Sequence, residues 1–362
     1  MAVISYKCPN CDGELVFDPA SQNYKCEYCA SAFSQRELEE MEPDASGEQE
    51  PQSGSGQVSK DQEAGSGPEA GEPQGAVYSC PSCGAEVVTD STTAATFCYY
   101  CHNPVVLSGR LLGRYLPDYV VPFAIDREQA VKQFLAYVHS RKFVPRAFFR
   151  KQQIEKLSGI YFPYWVYECE MDSRLEAQAR QIRVWRSGDM EYTETKTYSL
   201  ERAGKVSLSG ITKNALKKAD RQLAQGVLPF DLNRKKEFHM GYLSGFQAEK
   251  RDMEREELAL EVEREREDYG TMLLRDTISG YGSVAENSRS NRILSEQWSY
   301  VLLPVWTLTY KGKNNKMFYY TMNGQNGKVY GELPVDAGRV GLVGALVGLA
   351  VLILFLIGGY LI

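Results

Sequence analysis

The chain has 362 residues, 43% of them hydrophobic and 24% charged, with a formal net charge of -6 at pH 7. These proportions are ordinary for globular protein, and the negative balance excludes a general attraction to phosphate. Eight of its nine cysteines stand at Cys-x-x-Cys spacing, the form in which a reducing compartment keeps thiols for metal rather than for disulfides.

Residues 1–38 carry Cys8-Pro9-Asn10-Cys11 and, after a gap of fourteen residues, Cys26-Glu27-Tyr28-Cys29. Each turn presents two thiolates, and the two turns together close a tetrahedral site around a borderline-soft ion, so the segment reads as a zinc ribbon. Glu14-Leu15-Val16-Phe17 and Asn23-Tyr24-Lys25 read as short strands around a turn at Asp18-Pro19. A module this small buries little, so the metal is expected to supply most of its folding free energy, on the order of 10 kcal/mol. Residues 39–76, rich in Glu, Gly, Ser, Pro and Gln, read as a disordered linker that would let the first ribbon range widely.

Over residues 77–109 the first module returns. Cys80-Pro81-Ser82-Cys83 and Cys98-Tyr99-Tyr100-Cys101 repeat the earlier cysteines at a constant offset of 72, and Tyr6, Pro9, Glu14, Val16 and Tyr28 recur as Tyr78, Pro81, Glu86, Val88 and Tyr100. Eight cysteines thereby fill two closed sites, one structural zinc ion in each, with no open position for a substrate and no need of His102 as a ligand. Ribbons of this kind often bind nucleic acid, which requires Lys and Arg to neutralise phosphate. Residues 76–109 contain neither, and the first ribbon offers little beyond Lys7 and Lys25. Without a basic groove, Tyr99 and Tyr100 suit packing or a protein partner better than base stacking.

Residues 110–335 are long enough for a core of their own. Asp126 followed by Gln129 resembles a capping box, and Val131, Phe134, Leu135 and Val138 fall on one face of a helix ending near Arg141. The run Ile160-Tyr161-Phe162-Pro163-Tyr164-Trp165-Val166-Tyr167 reads as a strand apolar on both faces, with Pro163 at an edge or bulge, and further β segments are expected at 182–185 and 194–200. The lone Cys169 reads as a small buried hydrophobe. Helices are expected at 214–225, stopped by Gly226, and over the charge-dense stretch 247–268, the latter as a solvated spacer. Val301-Leu302-Leu303-Pro304-Val305-Trp306 mirrors the run from Ile160 to Trp165 and hints at two related lobes. Strands at 300–310, 317–322 and 328–331 then form an antiparallel meander. The expected fold class is α+β: two zinc ribbons, a mainly antiparallel sheet with helices, and one transmembrane helix.

That helix is residues 340–362, an uncharged run of 23 residues. As a helix it would be about 35 Å long, enough to cross a hydrocarbon core of roughly 30 Å. Arg339 flanks it, no basic residue follows, and the body is expected on the cytoplasmic side of the cell membrane as a single-pass, tail-anchored protein. Gly344 and Gly348 give the run a GxxxG face through which copies can associate.

The segments Tyr242-Leu243-Ser244-Gly245-Phe246, Leu303-Pro304-Val305-Trp306 and Asn323-Gly324-Gln325-Asn326-Gly327-Lys328-Val329, with the ribbons and the anchor, make the chain similar to a family of bacterial membrane-anchored zinc-ribbon proteins. Members are often labelled as resembling the primosomal replication helicase or transcription-factor-IIB-type ribbons. The resemblance carries over the zinc cysteines and a membrane-stress setting, and no catalytic residues. A helicase is excluded on the residues, because the phosphate-cradling GxxxxGK followed by Ser or Thr is absent, Gly204-Lys205 being followed by Val206. An enzyme is not expected: the three histidines, His102, His139 and His239, form no HExxH pattern. The expected function is a membrane adaptor whose ribbons and body recruit a cytoplasmic protein partner. The alternative is a nucleic-acid-binding regulator held at the membrane.

Overall fold

A computed structural model of the chain describes residues 6–41, 76–98, 101–145, 154–311 and 316–361. The expected linker falls almost wholly outside them, as do Tyr99 and Tyr100. The chain divides into two compact units, Met1–Arg110 with Met240–Ala248, and Leu111–His239 with Glu249–Ile362.

In the first unit, β1 (Leu15–Asp18), β2 (Asn23–Cys26) and β3 (Ala32–Phe33) form an antiparallel sheet with Leu15 opposite Cys26. The strands and the Asp18-Pro19 turn stand where the sequence placed them. A short helix, α1 (Gln35–Met41), starts from a reciprocal pair in which the Ser34 N–H donates to the Glu37 carboxylate at 2.7 Å and the Glu37 N–H to the Ser34 hydroxyl at 3.3 Å. The second ribbon pairs β4 (Ala76–Ser79) with β5 (Glu86–Thr89) and β6 (Thr93–Phe97) with β7 (Pro104–Val106). Its small core joins Tyr78, Val87, Val105 and Leu107 to Cys80 and Cys98.

The second unit is built on three long strands. In chain order the elements from here on are β8 (Tyr119–Val120), α2 (Arg127–Ser140), β9 (Ser158–Ser187), β10 (Met190–Asn214), α3 (Arg221–Gly226), β11 (Lys236–Glu237), β12 (Gln247–Glu249), whose first two residues belong to the first unit, α4 (Arg255–Arg275), β13 (Ser283–Lys311), β14 (Met317–Asn323), β15 (Val329–Gly331) and α5 (Ala337–Leu361). Strand β9 is central: β10 runs antiparallel along one side, from Ser187 opposite Met190 to Tyr164 opposite Asn214, and β13 along the other, from Arg180 opposite Ser283 to Ser158 opposite Thr307. β14 and β15 continue the sheet beyond β13, while β8 lies parallel to β13 at Val301 and Leu302.

Helix α2 matches expectation, with Asp126 accepting from the Gln129 N–H at 2.8 Å and Ala130, Phe134 and Val138 buried. Several other expectations are corrected. The β segments at 182–185 and 194–200 are parts of single strands of 30 and 25 residues joined at Gly188. The alternation continues far past Tyr167, with Met171, Ser173, Leu175, Ala177 and Ala179 buried, but charged neighbours on the open face disguise it. The two similar Pro-x-Trp runs are not separate lobes. They are adjacent strands of one sheet, Ile160 opposite Val305 and Trp165 opposite Tyr300. Pro163 is tolerated because β10 stops pairing at Tyr164, and its carbonyl accepts from Ala215 at 2.9 Å.

The helix expected at 214–225 is shorter. Strand β10 runs to Asn214, and Asp220 caps α3 by accepting from Gln222 and Leu223. The helix expected over 247–268 is displaced to Arg255–Arg275, and it is no solvated spacer. Leu258, Val262 and Leu274 are buried while Leu260 is exposed, so the i, i+4 face wins over the period-two pattern. Its charges serve the packing: buried Lys213 of β10 reaches Glu261 at 2.6 Å and Glu265 at 2.5 Å. Gly270 sits so close to β9 and β13 that an added Cβ would meet Asn291 and Met171 at 3.1 Å. Helix α5 begins three residues before the uncharged run, with Asp336 accepting from the Gly338 N–H at 3.1 Å. Its stretch Ala337–Leu354 is long and apolar enough to cross a membrane, and none of it is buried.

Candidate metal centres

Both four-cysteine groups assemble as the sequence predicts: Cys8, Cys11, Cys26 and Cys29 in one, Cys80, Cys83, Cys98 and Cys101 in the other, each with its sulfur atoms within 4.8 Å of one another. The four turns share one backbone geometry. In each, the N–H of the first cysteine donates to the carbonyl five residues on, as in Cys8 to Gly13 at 2.6 Å and Cys98 to Asn103 at 2.9 Å. The N–H four residues on returns to the first cysteine's carbonyl, as in Asp12 to Cys8 at 2.8 Å and His102 to Cys98 at 3.0 Å. Closing that loop puts the residue after the second cysteine into the left-handed region: Asp12, Ala30, Gly84 and His102 all have φ between 58° and 74°. His102 is thus a turn residue and stands outside the metal group.

Sulfur separations test the fit of an ion. Cys8 and Cys29 stand 3.5 Å apart, as do Cys11 and Cys26, while both corresponding pairs in the second site are at 3.7 Å. A tetrahedron of 2.3 Å metal–sulfur bonds has edges of about 3.8 Å, so both sites fit a tetrahedral thiophilic ion with little adjustment. Cys8, Cys26, Cys80 and Cys98 are buried, whereas Cys11, Cys29 and Cys83 face solvent. At the first site Ser31, whose hydroxyl lies 3.2 Å from the Cys29 sulfur, draws that thiol down to about 6, while hydrogen bonding among the neighbouring sulfurs pushes the Cys11 thiol up. Gly13 is required there, since an added Cβ would meet the Tyr28 ring at 2.7 Å and the sulfurs of Cys26 and Cys11 at 3.1 and 3.2 Å. The ninth cysteine, Cys169, is buried in β9, and burial pushes its thiol up.

Sequence reasoning missed what joins the two sites. Glu14, nearly buried, accepts through one carboxylate oxygen from the Ser82 hydroxyl at 2.5 Å, the Asn103 amide at 2.9 Å and the Lys7 ammonium at 3.2 Å. Ser82 and Asn103 lie within the two knuckles of the second site, so the ribbons are bonded to each other. This replaces the expectation of a first ribbon that ranges freely. The first ribbon is held a second time by the distant segment 241–246: the Phe17 N–H donates to the Ser244 carbonyl at 3.1 Å, the Ser244 hydroxyl to the Leu15 carbonyl at 2.5 Å, and the Phe17 and Tyr242 rings meet edge-on at 5.2 Å. The motif centred on Asn323 is likewise structural. Its amide donates to the Val227 and Pro229 carbonyls at 2.9 and 3.1 Å and its oxygen accepts from the N–H groups of Gln325 and Asn326.

No family model matches the chain, and no solved structure matches it. It is similar to the uncharacterized protein YdjG of Bacillus subtilis (strain 168), 28% identical over 338 residues, which covers 93% of this chain and 92% of that one.

Proposed function

We propose that this protein is a membrane-anchored adaptor: two zinc ions fold its ribbons, helix α5 holds it in the cell membrane with the body on the cytoplasmic side, and the ribbons and body recruit a protein partner, in the membrane-stress setting that the family resemblance supplies. Zinc is the ion because closed four-thiolate sites favour it and leave no coordination position for a substrate. The observation that carries the reading is the state of the first ribbon's cations. Lys7 is paired with Glu14 at 3.2 Å and Lys25 with Asp18 at 2.9 Å, and Ser82 and Asn103 are turned toward a carboxylate. A surface whose few ammonium groups already face acids is poorly suited to phosphate and well suited to a polar protein contact.

The test is capture of the full chain from solubilised membranes with and without nuclease. The expected outcome is a partner retained after nuclease and a chain that leaves the membrane when truncated at Arg339. Loss of the partner on nuclease treatment, together with ribbon binding to nucleic acid that weakens steeply with salt, would establish the regulator reading instead.

A further inference from the structure

Strand β10 is the open edge of the second unit's sheet. It pairs with β9 alone among the described strands, and its pairing is uninterrupted from Met190 until the bulge between Ser209 and Ile211. Proteins usually blunt so long an edge with proline, a bulge, a covering element or charged side chains that repel or solvate an incoming strand. Residues 190–206 contain no proline and carry charges of both signs in a pattern that is its own complement.

We infer that the β10 edge binds a second copy of this chain, the two β10 strands running antiparallel about a two-fold axis at Tyr198. Opposed residues in an antiparallel pair share a face and lie about 5 Å apart, so the axis fixes every pairing. Glu194 falls opposite Arg202 of the second copy, and Glu191 opposite its Lys205. Each pair occurs twice by symmetry, which gives four opposite-charge contacts and no like charges directly opposed. Sliding the strands by one residue in one direction sets Glu194 against Glu201. Sliding them by two in the other sets Lys196 against Arg202. Within a single chain Glu194 meets Lys196 at 3.5 Å, Arg202 donates to the neighbouring Glu201 carbonyl, and Glu191 accepts from Arg186 at 3.0 Å in a solvent-exposed pair that a cross-strand partner can share.

The same register explains a glycine and an exposed ring. Gly204 lies in the middle of β10, where glycine weakens a strand, and nothing stands within 4 Å of the place its Cβ would occupy. In the pairing its opposite residue is Tyr192 of the second copy. Tyr192 is 39% exposed and stacked on Trp185 at 5.5 Å, close to exposed Met190. An aromatic ring laid across a strand glycine covers both the bare backbone and its own apolar face. Met190 falls opposite Val206 of the second copy at each end, where the Val206 side chain is already packed in its own core and only the backbone pairs, so the paired stretch closes just before the bulge that would disrupt it. The interface is isologous and self-limiting, as a two-fold dimer requires.

The experiment uses the full chain in detergent and reads its oligomeric state by sedimentation. The expected result is a dimer that is lost in Glu194→Arg and in Arg202→Glu and regained in the double variant, where the pair is restored with its signs exchanged. Tyr198→Cys provides a measurement independent of folding penalties at the charged pair. A cysteine on the axis lies within disulfide reach of its twin and should give a cross-linked dimer under mild oxidation. Tyr192→Cys should not, because its twin would be about 40 Å away along the strands. A monomeric chain, a dimer indifferent to all three charge variants, or failure of Tyr198→Cys to cross-link would overturn the inference. In the second of those cases the GxxxG face of α5 would be left as the source of dimerisation.

Discussion

The two ribbons have the same four knuckle bonds and the same thiol geometry, yet they are stabilised from different directions. At an offset of 72, Asn10 and Ser31 of the first correspond to Ser82 and Asn103 of the second. In the first ribbon that pair bonds to itself, Asn10 donating to the Ser31 hydroxyl at 3.0 Å, whereas in the second both members turn outward to Glu14. Glu14 is nearly buried, and its counterpart Glu86 is exposed. The second ribbon has a brace of its own: buried Arg110 donates to the Tyr78 hydroxyl at 2.8 Å, to the Thr93 carbonyl at 2.6 Å and to the Asp90 carbonyl. The first takes its brace from 241–246. A duplicated four-cysteine site therefore preserves its thiol geometry, while each copy finds its own means of closing the sheet beside it.

On the proposed zinc reading, removing a ligand gives the largest expected effect, because a bound ion would supply folding free energy on the order of 10 kcal/mol to a module this small. Cys26→Ser should leave the full chain with one bound zinc by native mass spectrometry and raise amide exchange across residues 6–41. Cys98→Ser should do the mirror image, leaving the first site loaded. The two ribbons remain separate metal sites despite their shared carboxylate, since Glu14 is no ligand. Simultaneous loss of both ions in either variant would contradict that.

Much of the metal chemistry was legible because thiolate spacing is a local property: a knuckle needs only its own six residues to set two sulfurs in place. The braces were not legible, since Ser244 lies 229 residues from Leu15 in sequence and Glu14 lies 89 from Asn103. The motifs around Tyr242 and Asn323 read in the sequence as family signatures, and in the structure they are clamps on neighbouring backbone. In the second unit the strand of Ile160 was visible where both faces are apolar. Its continuation to Ser187 was hidden, because from Glu168 onward one face carries charge and alternation with Ser or Ala at the buried positions is a weak signal. Helix α4 was misplaced for a related reason. Its charged residues are bonded across to β10, and a pattern that counts charge as solvent-facing cannot anticipate a buried lysine between two glutamates.

The braces should separate the two ribbons at an intermediate scale. Arg110→Met keeps the stem's volume but removes the charged donor from the Tyr78 hydroxyl and two carbonyls, and hydrogen bonds to a charged group are each worth about 1.5–3 kcal/mol. The variant should release its second-site zinc to a chelator tens of times faster, with the first site unchanged. Tyr242→Ala should reverse that order, because it removes a buried ring from Phe17 at a cost of about 3 kcal/mol felt only by the first ribbon. Equal acceleration at both sites in either variant would mean that the ribbons share one brace after all.

The smallest expected effect lies at Glu14, where it can be divided among the three donors. Lys7 has a side chain 40% exposed, so its ion pair is open to salt and Lys7→Ala should cost less than about 1 kcal/mol. Asn103, half-buried, and Ser82, exposed, donate to the same buried oxygen, and removing that acceptor loses two hydrogen bonds to a charged group. Glu14→Ala should therefore cost about 1–3 kcal/mol, whereas Glu14→Gln, which keeps a carbonyl oxygen in place, should cost about as little as Lys7→Ala. Adding salt should erase the difference between wild type and Lys7→Ala and leave the effect of Glu14→Ala intact, because screening reaches the exposed ammonium but not the contact between knuckles. A double-mutant cycle of Glu14→Ala with Asn103→Ala, read by denaturant unfolding of the metal-loaded chain, should show coupling. The same cycle with Lys7→Ala should show little at high salt. Coupling confined to Lys7 would reduce Glu14 to a surface ion pair and return the first ribbon to an independent module.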